Sequence, residues 1–338
     1  MRGLSALRFC AAMVGIATTV TGLRAQVEKP NGSGTVTPAI KSPAKEAGEN
    51  SGVVRTAMKN VEYHLTDRII VHIGDLNGKL VTKPGETVVF DDKNSFEIEA
   101  EFADIRISMT ALTNDLNDYI FARADAPLKQ LVASVKTDKH GDELMIKGLL
   151  VSKGGVPFET AGTLSVTPEG WIRVTTHSVK ALKLPIHGLM EMLGLDTANL
   201  VNTNKVEGVK IDKDDLLIDP EKILPPPEFK GKLTGVTIDN GEIALTFGSK
   251  NAGKPMNTLC GGKNYISFQG GTVKFGSLTM TNALLELVDA DPQDSYDFAL
   301  AHYADQLSAG YVKSLKSGAL CAHTPDLSKI KTRGSGKK

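Results

Sequence analysis

The stretch Phe96-Glu-Ile-Glu-Ala-Glu-Phe102 alternates apolar and acidic side chains without a break. Because successive side chains of a β-strand point to opposite faces, this alternation predicts a strand with one apolar and one acidic face. The apolar face carries Phe96, Ile98, Ala100 and Phe102, and the opposite face carries three glutamates. An apolar face has to pack against other apolar groups, so the stretch predicts a sheet that covers a core.

The segment after this strand has helical spacing instead. Its apolar residues fall on one face of a helix, which predicts a short amphipathic helix over 110–123. They are Leu112, Leu116, Tyr119 and Ile120. A second short helix is expected over 186–195, where Pro185 stands at a position that favours helix starts.

Successive β-hairpins are predicted beyond residue 127, because clusters of turn-forming residues separate the apolar segments. The dipeptide Asn240-Gly241 suits a two-residue hairpin loop. The predicted strands cover 128–136, 143–152, 156–166, 171–182, 232–239, 242–247, 265–269, 272–275 and 284–288. A last helix is expected to follow a cap at Asp294 or Ser295. Its apolar stripe consists of Tyr296, Leu300, Tyr303 and Leu307.

Composition agrees with a folded, β-rich protein. The 338 residues are 41% hydrophobic and include 33 glycines, whereas aromatic residues make up 5%. This balance favours many turns over a helical bundle. We therefore expect an α+β, β-rich fold, in which a strongly curved antiparallel sheet of hairpins wraps short amphipathic helices. A smaller C-terminal extension of strands and a helix completes it.

Charge argues against one class of partner. The chain carries 39 Lys and Arg against 39 Asp and Glu, so its formal net charge is zero. Proteins that bind nucleic acid present a basic patch or a strongly basic domain. We expect no nucleic-acid partner.

The N-terminus predicts export. Arg2 and Arg8 precede an apolar run over 9–20 that has the length of a signal peptide and is short for a bilayer span. We expect a signal peptide over 1–25, a disordered linker over 26–52, a body over 53–248, an extension over 249–328 packed on the sheet, and a flexible basic tail over 329–338. The mature chain is expected in the periplasm or secreted, with no transmembrane segment.

Export gives two cysteines a role. Cys10 leaves with the signal peptide, and Cys260 and Cys321 remain as a pair in an oxidising compartment. A disulfide between them is predicted, and two buried free thiols are the alternative. The pair has no neighbouring histidines with the spacing of metal ligands.

Sequence motifs for catalysis are missing. The nucleophile-elbow, zinc-protease, phosphate-loop and dinucleotide-binding patterns do not occur, and the seven histidines are scattered singly. The acidic run over 212–219 lacks the glycine and distal glutamate of a calcium loop and is interpreted as a solvated turn. We assign no catalytic residue, no metal ligand and no cofactor, and we expect a protein that is not an enzyme.

The order of these elements resembles the LmeA-like family of exported phospholipid-binding proteins, a branch of the tubular lipid-binding (TULIP-like) group, and more distantly the AsmA-type envelope proteins. The resemblance covers a little over half of the chain. It is carried by strand and turn patterns, which include Val71-His-Ile-Gly-Asp-Leu-Asn-Gly78, Phe102-Ala-Asp-Ile-Arg-Ile-Ser-Met-Thr-Ala-Leu112, Pro157-Phe-Glu-Thr-Ala-Gly-Thr-Leu-Ser-Val166, Pro168-Glu-Gly-Trp-Ile-Arg-Val174 and Leu224-Pro-Pro-Pro-Glu-Phe-Lys-Gly231.

This resemblance implies that 53–248 is a lipid-binding domain whose curved sheet leaves an apolar groove for acyl chains. The partner is then a phospholipid or another acyl lipid. The residues expected to line the groove are Phe96, Ile98, Phe102, Leu112, Leu116 and Ile120. For each of them, packing in a closed core is the alternative.

Two functions therefore stay open. One is a non-catalytic periplasmic lipid-binding or lipid-transfer protein. The other is an envelope structural or interaction module with a solid core and a protein partner. An elongated apolar cavity of several hundred cubic ångströms favours the first, and a filled core favours the second.

Overall fold

The computed structural model describes residues 53–138, 141–151, 154–181, 208–212, 215–251 and 256–330. The predicted signal peptide, the linker and the helix over 186–195 lie outside these residues, as does the tail after Ile330. Within the described residues, no helix is long and apolar enough to cross a membrane.

Strands dominate the described chain. They are β1 (Val54–His64), β2 (Ile70–Val81), β3 (Val88–Val89), β4 (Glu97–Ser108), β5 (Leu128–Asp138), β6 (Gly141–Leu150), β7 (Val156–Val166), β8 (Ile172–Ala181), β9 (Val209–Asp212), β10 (Asp215–Ile218), β11 (Glu228–Lys230), β12 (Leu233–Asp239), β13 (Glu242–Gly248), β14 (Tyr265–Phe275), β15 (Leu278–Asp289), β16 (Tyr296–Ala299), β17 (Tyr311–Ser314) and β18 (Leu320–Thr324). The α-helices are α1 (Met109–Asp115) and α2 (Tyr303–Ala309). A π-helical turn covers Leu116–Ile120, and 3₁₀ turns cover Leu300–His302 and Leu327–Lys329.

These strands form two sheets. The larger runs in the order β12-β13-β4-β2-β1-β14-β15-β18-β17, with β3, β11 and β16 paired beside this path. The smaller is antiparallel and runs β5-β6-β7-β8-β10-β9. The β-rich class is confirmed. Neither sheet closes on itself within the described chain, so the predicted strong curvature is not confirmed.

The strands after Gly248 belong to the larger sheet. β14 pairs with β1 along the register Arg55↔Gln269 to Lys59↔Tyr265, and β15 follows β14. The two predicted strands over 265–269 and 272–275 are one continuous strand, β14. Two strands that are far apart in the sequence, β1 and β14, therefore share one hydrogen-bonded ladder.

Helix α1 confirms the helix predicted after β4, although it is shorter. The Ser108 hydroxyl accepts a hydrogen bond from the Ala111 N–H at 3.1 Å and caps its first turn. The α-helix ends at Asp115, and the π-helical turn continues the coil to Ile120. Along the chain, the helix connects β4 of the larger sheet to β5 of the smaller sheet, and it contacts both strands.

The predicted start of the last helix is wrong. Tyr296–Ala299 is a strand that pairs in parallel with Val61–His64 of β1. Tyr296 and Phe298 are buried, and the intervening Asp297 is half-buried, which is the alternation of a strand. The ladder with β1 therefore overrides the helical spacing, and the helix begins only after Ala299.

A bulge in β4 controls which side chains reach the core. Asn77 of β2 pairs with Phe102, but the next residue, Gly78, pairs with Ala100, so Glu101 is an extra residue. Because side chains alternate with a period of two, one extra residue moves every later side chain to the opposite face. Ile98 lies in the main core before the bulge and Ile105 lies in it after the bulge.

Two glycines flank this bulge. A Cβ on Gly78 would lie 2.3 Å from the Glu99 carbonyl oxygen, and a Cβ on Gly248 would lie 1.9 Å from the Glu101 carbonyl oxygen. The neighbouring strands can therefore approach the bulged backbone only where they carry no side chain.

The described chain has one large core and one small satellite. The large core fills the space under the main sheet and includes Phe90, Phe247, Phe268, Tyr296 and Phe298. The satellite consists of Leu128, Leu131, Leu150 and Phe158 beside the smaller sheet.

Candidate functional site

Two of the residues predicted to line a lipid groove lie in a closed core. Phe96 and Ile98 are both 4% exposed. The cavity that they border has a volume of about 10 Å³, which is no more than the space of one water molecule. The Phe90 ring fills this region, with its centroid 5.8 Å from Phe96 and 5.1 Å from Phe268. An acyl chain has no room between these side chains.

Phe102 does not share their face, and the prediction of one apolar face from Phe96 to Phe102 is wrong. The Glu101 bulge turns Phe102 to the outer face of the sheet, and Phe102 is not part of the large core. The predicted helical residues also separate. Leu112 and Ile120 pack against the large core, whereas Leu116 packs against the satellite core.

Phe102 borders a basin on the outer face of the main sheet. We call it the lysine-rimmed basin, and its volume is about 470 Å³. Phe102, Met256 and Tyr265 line it with large, mainly apolar side chains. The charged side chains that line it are those of Lys59, Asp75, Lys250 and Lys263. β1, β2, β4, β14 and the segments after β13 all contribute side chains.

Positive charge predominates in this basin. Lys59 Nζ lies 3.0 Å from Asp75 Oδ2, so one of the three lysines is paired with the one carboxylate. Lys250 Nζ lies 5.6 Å from the centroid of the Phe102 ring, within the range of a cation–π interaction. Burial and the nearby carboxylates Glu286 and Asp75 raise the pKa of Tyr265, which therefore stays a neutral phenol at physiological pH.

The basin wall formed by the chain before β14 is anchored at two points. Glu286 is fully buried and its carboxylate accepts hydrogen bonds from Thr258 Oγ1 at 2.6 Å, Leu259 N at 2.7 Å and Cys260 N at 3.1 Å. Cys260 is also joined to Cys321, with 5.9 Å between the Cα atoms. The predicted disulfide is confirmed. The role of Glu286 was not predicted from the sequence. A single glutamate inside the apolar run Leu284-Leu-Glu-Leu-Val288 could have indicated a buried carboxylate that accepts hydrogen bonds.

His64 and His72 each lie beside a carboxylate. His64 Nε2 lies 2.6 Å from Asp297, and His72 Nδ1 lies 2.8 Å from Glu62. The hydrogen bond to Glu62 raises the pKa of His72. In the part of the chain that the structure describes, no group of three His, Cys, Asp or Glu side chains is arranged to hold a metal ion.

The acidic run over 212–219 is held by an arginine in its described part. Arg173 lies 2.5 Å from Asp215 and 3.4 Å from Asp212. Asp214 lies outside the described residues. These contacts assign Asp212 and Asp215 to ion pairs that join β8, β9 and β10.

Asp115 at the end of α1 provides a prediction of pH dependence. Its side chain is 2% exposed, its Oδ1 atom has no hydrogen-bond partner among the described residues, and burial raises its pKa to about 7. The carboxyl group of Asp115 therefore binds a proton more tightly in the folded state than in the unfolded state. The stabilisation that comes from this protonation is complete below about pH 4 and is lost as the pH rises through about 7. Asp115→Asn is expected to raise the free energy of unfolding at pH 8 by roughly 2 kcal/mol and to leave it nearly unchanged at pH 4.

Urea unfolding of both proteins at the two pH values measures this effect. Asp118→Asn is the control, because Asp118 is part of a surface ion pair with Arg68 and its loss changes stability by less than about 1 kcal/mol. Equal stabilities of the wild type and Asp115→Asn at pH 8 contradict the prediction.

Comparison of the chain with protein-family models, curated proteins and solved structures finds no match. The resemblance to the LmeA-like family therefore stays a prediction.

Proposed function

We propose that the protein is a non-catalytic binding protein that takes an anionic amphiphile, the chemical class to which phospholipids belong, into the lysine-rimmed basin. One observation carries this proposal: Phe102 lies with Lys59, Lys250 and Lys263 around a basin of about 470 Å³. That volume lies within the usual range of small-molecule sites. The aromatic and thioether groups suit a hydrocarbon chain, and the ammonium groups suit a phosphate or carboxylate.

Each half of such a ligand has a physical reason to bind. Methylenes that leave water against Phe102, Met256 and Tyr265 each contribute roughly 0.8 kcal/mol. The ammonium groups at the rim are solvated, so each contributes at most about 1 kcal/mol, and this contribution weakens as salt is added. Neither half alone is expected to bind tightly, which gives preference to molecules that carry both.

The predicted signal peptide and the LmeA-like resemblance support an exported protein that binds or transfers such a lipid. The proposed position differs from the groove expected from the sequence, because it lies on the outer face of the sheet. The lipid then lies against the sheet without opening the core. Phe102 is itself only 5% exposed, but it lines the basin, and it is the predicted contact residue that keeps this role.

Binding of dodecyl phosphate to the full chain tests the proposal by calorimetry below its micellar concentration. The double variant Lys250→Ala with Lys263→Ala is expected to weaken binding about tenfold, since two exposed charge interactions each contribute up to about 0.7 kcal/mol. Both side chains are exposed, so the melting temperature should not change.

The matched control is Lys274→Ala with Lys316→Ala, which removes the same charge from exposed positions outside the basin. It should bind dodecyl phosphate as the wild type does. Inorganic phosphate and dodecyl maltoside each lack one half of the amphiphile and should bind at least tenfold more weakly. Equal weakening in the two double variants, or equal affinity for dodecyl maltoside, overturns the proposal.

A protein-interaction module is the second candidate, and a separate observation favours it. The hairpin of β17 and β18 ends the main sheet and exposes Tyr311, Val312 and Leu315 by 53%, 57% and 38%. An edge strand presents unpaired backbone groups, and exposed apolar side chains beside it suit a protein surface. If dodecyl phosphate does not bind, the protein-interaction module becomes the leading candidate function.

A further inference from the structure

A second cavity lies where segments of the two sheets meet. We call it the Trp171 cleft, and its volume is about 610 Å³. β4, the turn between β7 and β8, the segment after β10, and the connection from β11 to β12 all contribute to it. Trp171 lines it together with six charged side chains, which are those of Glu99, Glu169, Asp219, Glu221, Lys230 and Lys232.

The backbone of Trp171 is anchored to Thr167 at one side of this cleft. The Thr167 N–H donates to the Trp171 carbonyl at 2.9 Å, and the Trp171 N–H donates to Thr167 Oγ1 at 3.2 Å. Lys210 Nζ lies 4.1 Å from the centroid of the indole ring. Lys210 is not among the residues that line the cleft. Its ammonium therefore covers part of the ring surface from outside that lining, whereas Trp171 itself lines the cleft.

Two carboxylates of the cleft are positioned by the backbone. Glu221 Oε1 accepts a hydrogen bond from the Gly231 N–H at 3.0 Å, and Asp219 Oδ1 accepts one from the Glu221 N–H at 3.0 Å. Lys230 Nζ lies 3.7 Å from Glu221 and 3.1 Å from Glu228. Hydrogen-bond acceptors and donors are thus fixed side by side before any ligand arrives.

The charges of this lining argue against three classes of ligand. Hydrocarbon chains do not suit a wall of carboxylates and ammonium groups. A phosphate or another polyanion meets four carboxylates against two lysines, one of which is already paired. The four carboxylates attract a cation, but among the described residues they form no group arranged to hold a metal ion, and the Lys210 ammonium already lies over the indole ring on which an organic cation would bind.

We propose that the Trp171 cleft binds a neutral polyhydroxylated ligand, a saccharide. Each sugar hydroxyl donates one hydrogen bond and accepts others, so neighbouring carboxylates and ammonium groups are both satisfied by the same chain of hydroxyls. The C–H face of the ring packs on the indole without needing a charge. This site is separate from the lysine-rimmed basin, and its test is independent of the proposed function.

The experiment uses the fact that Trp171 is the one tryptophan of the chain. Its fluorescence in the full-length protein therefore reports on the cleft directly. Chitotriose, maltotriose and cellotriose are titrated up to roughly 20 mM, so that weak binding with a millimolar dissociation constant is also detected. Tetramethylammonium chloride and sodium phosphate are titrated as probes of the rejected classes. We expect a saturable change with at least one trisaccharide and none with the two ions.

The variants Glu99→Ala and Glu97→Ala locate the binding. Both residues lie exposed on β4 two positions apart, but Glu99 lines the cleft and Glu97 does not. Glu99→Ala should weaken trisaccharide binding at least fivefold, and Glu97→Ala should leave it unchanged. No saturable response to any trisaccharide, a saturable response to either ion, or an equal effect of the two variants overturns the proposal.

Discussion

Replacement of Gly248 by alanine is expected to lower the free energy of unfolding by about 3–5 kcal/mol. Gly248 has a φ of +62°, and a Cβ there would lie 1.9 Å from the Glu101 carbonyl oxygen. The obstacle is backbone of the bulged strand, which cannot rotate away as a flexible side chain would. The variant must therefore either separate β13 from β4 or remove the bulge, and either change disturbs the packing on both faces of β4.

Gly241→Ala separates the clash from the conformational strain. Gly241 has a φ of +79°, and a Cβ there meets nothing within 4 Å. We expect it to lower stability by only about 1–2 kcal/mol, the usual penalty of a left-handed backbone for alanine. Urea unfolding curves of both variants measure the difference. Equal losses mean that the backbone at Glu101 relaxes freely and that Gly248 does not hold the bulge.

Ile98→Asn is expected to lower the free energy of unfolding by about 3 kcal/mol, because a buried amide loses its hydrogen bonds to water. Ile98 is 4% exposed and borders a cavity of only about 10 Å³, so water cannot enter to solvate the amide. The fraction that remains folded should bind dodecyl phosphate as the wild type does, since the basin is on the other face of the sheet.

Val132→Asn is the matched control. Val132 is 52% exposed on β5, and the same polar group there should change stability by no more than about 0.5 kcal/mol. The measurements are the urea midpoint and the affinity for dodecyl phosphate on one preparation. A stable Ile98→Asn protein with reduced affinity restores the groove that the sequence predicts and contradicts the closed core.

Much of the fold follows from local patterns. The strands β6, β7, β8, β12 and β13 lie close to their predicted positions, because turn-forming residues mark both ends of each apolar segment. Asn240 and Gly241 both have positive φ values, as the predicted two-residue turn requires. The disulfide was also predictable, since Cys260 and Cys321 are the only pair outside the predicted signal peptide.

The candidate site was far less predictable. Lys59 lies in β1, far in the sequence from Lys250 and Lys263, which both lie between β13 and β14, and each is an ordinary exposed lysine in its own context. The Trp171 cleft has the same property, because its side chains come from both sheets. Only the pairing of strands brings such residues together, and strand pairing leaves no local pattern.

Local patterns in the sequence thus predicted that this protein is β-rich, where its hairpins turn, and which two cysteines join. These features depend on backbone preferences and on alternation within a few residues. Tertiary structure alone decided that Phe96 and Phe102 lie on opposite faces of β4, since Glu101 can bulge only between Gly78 and Gly248, which come from distant parts of the chain. It also decided that Tyr296–Ala299 is a strand, because hydrogen bonds to β1 outweigh the weak helical preference of four residues.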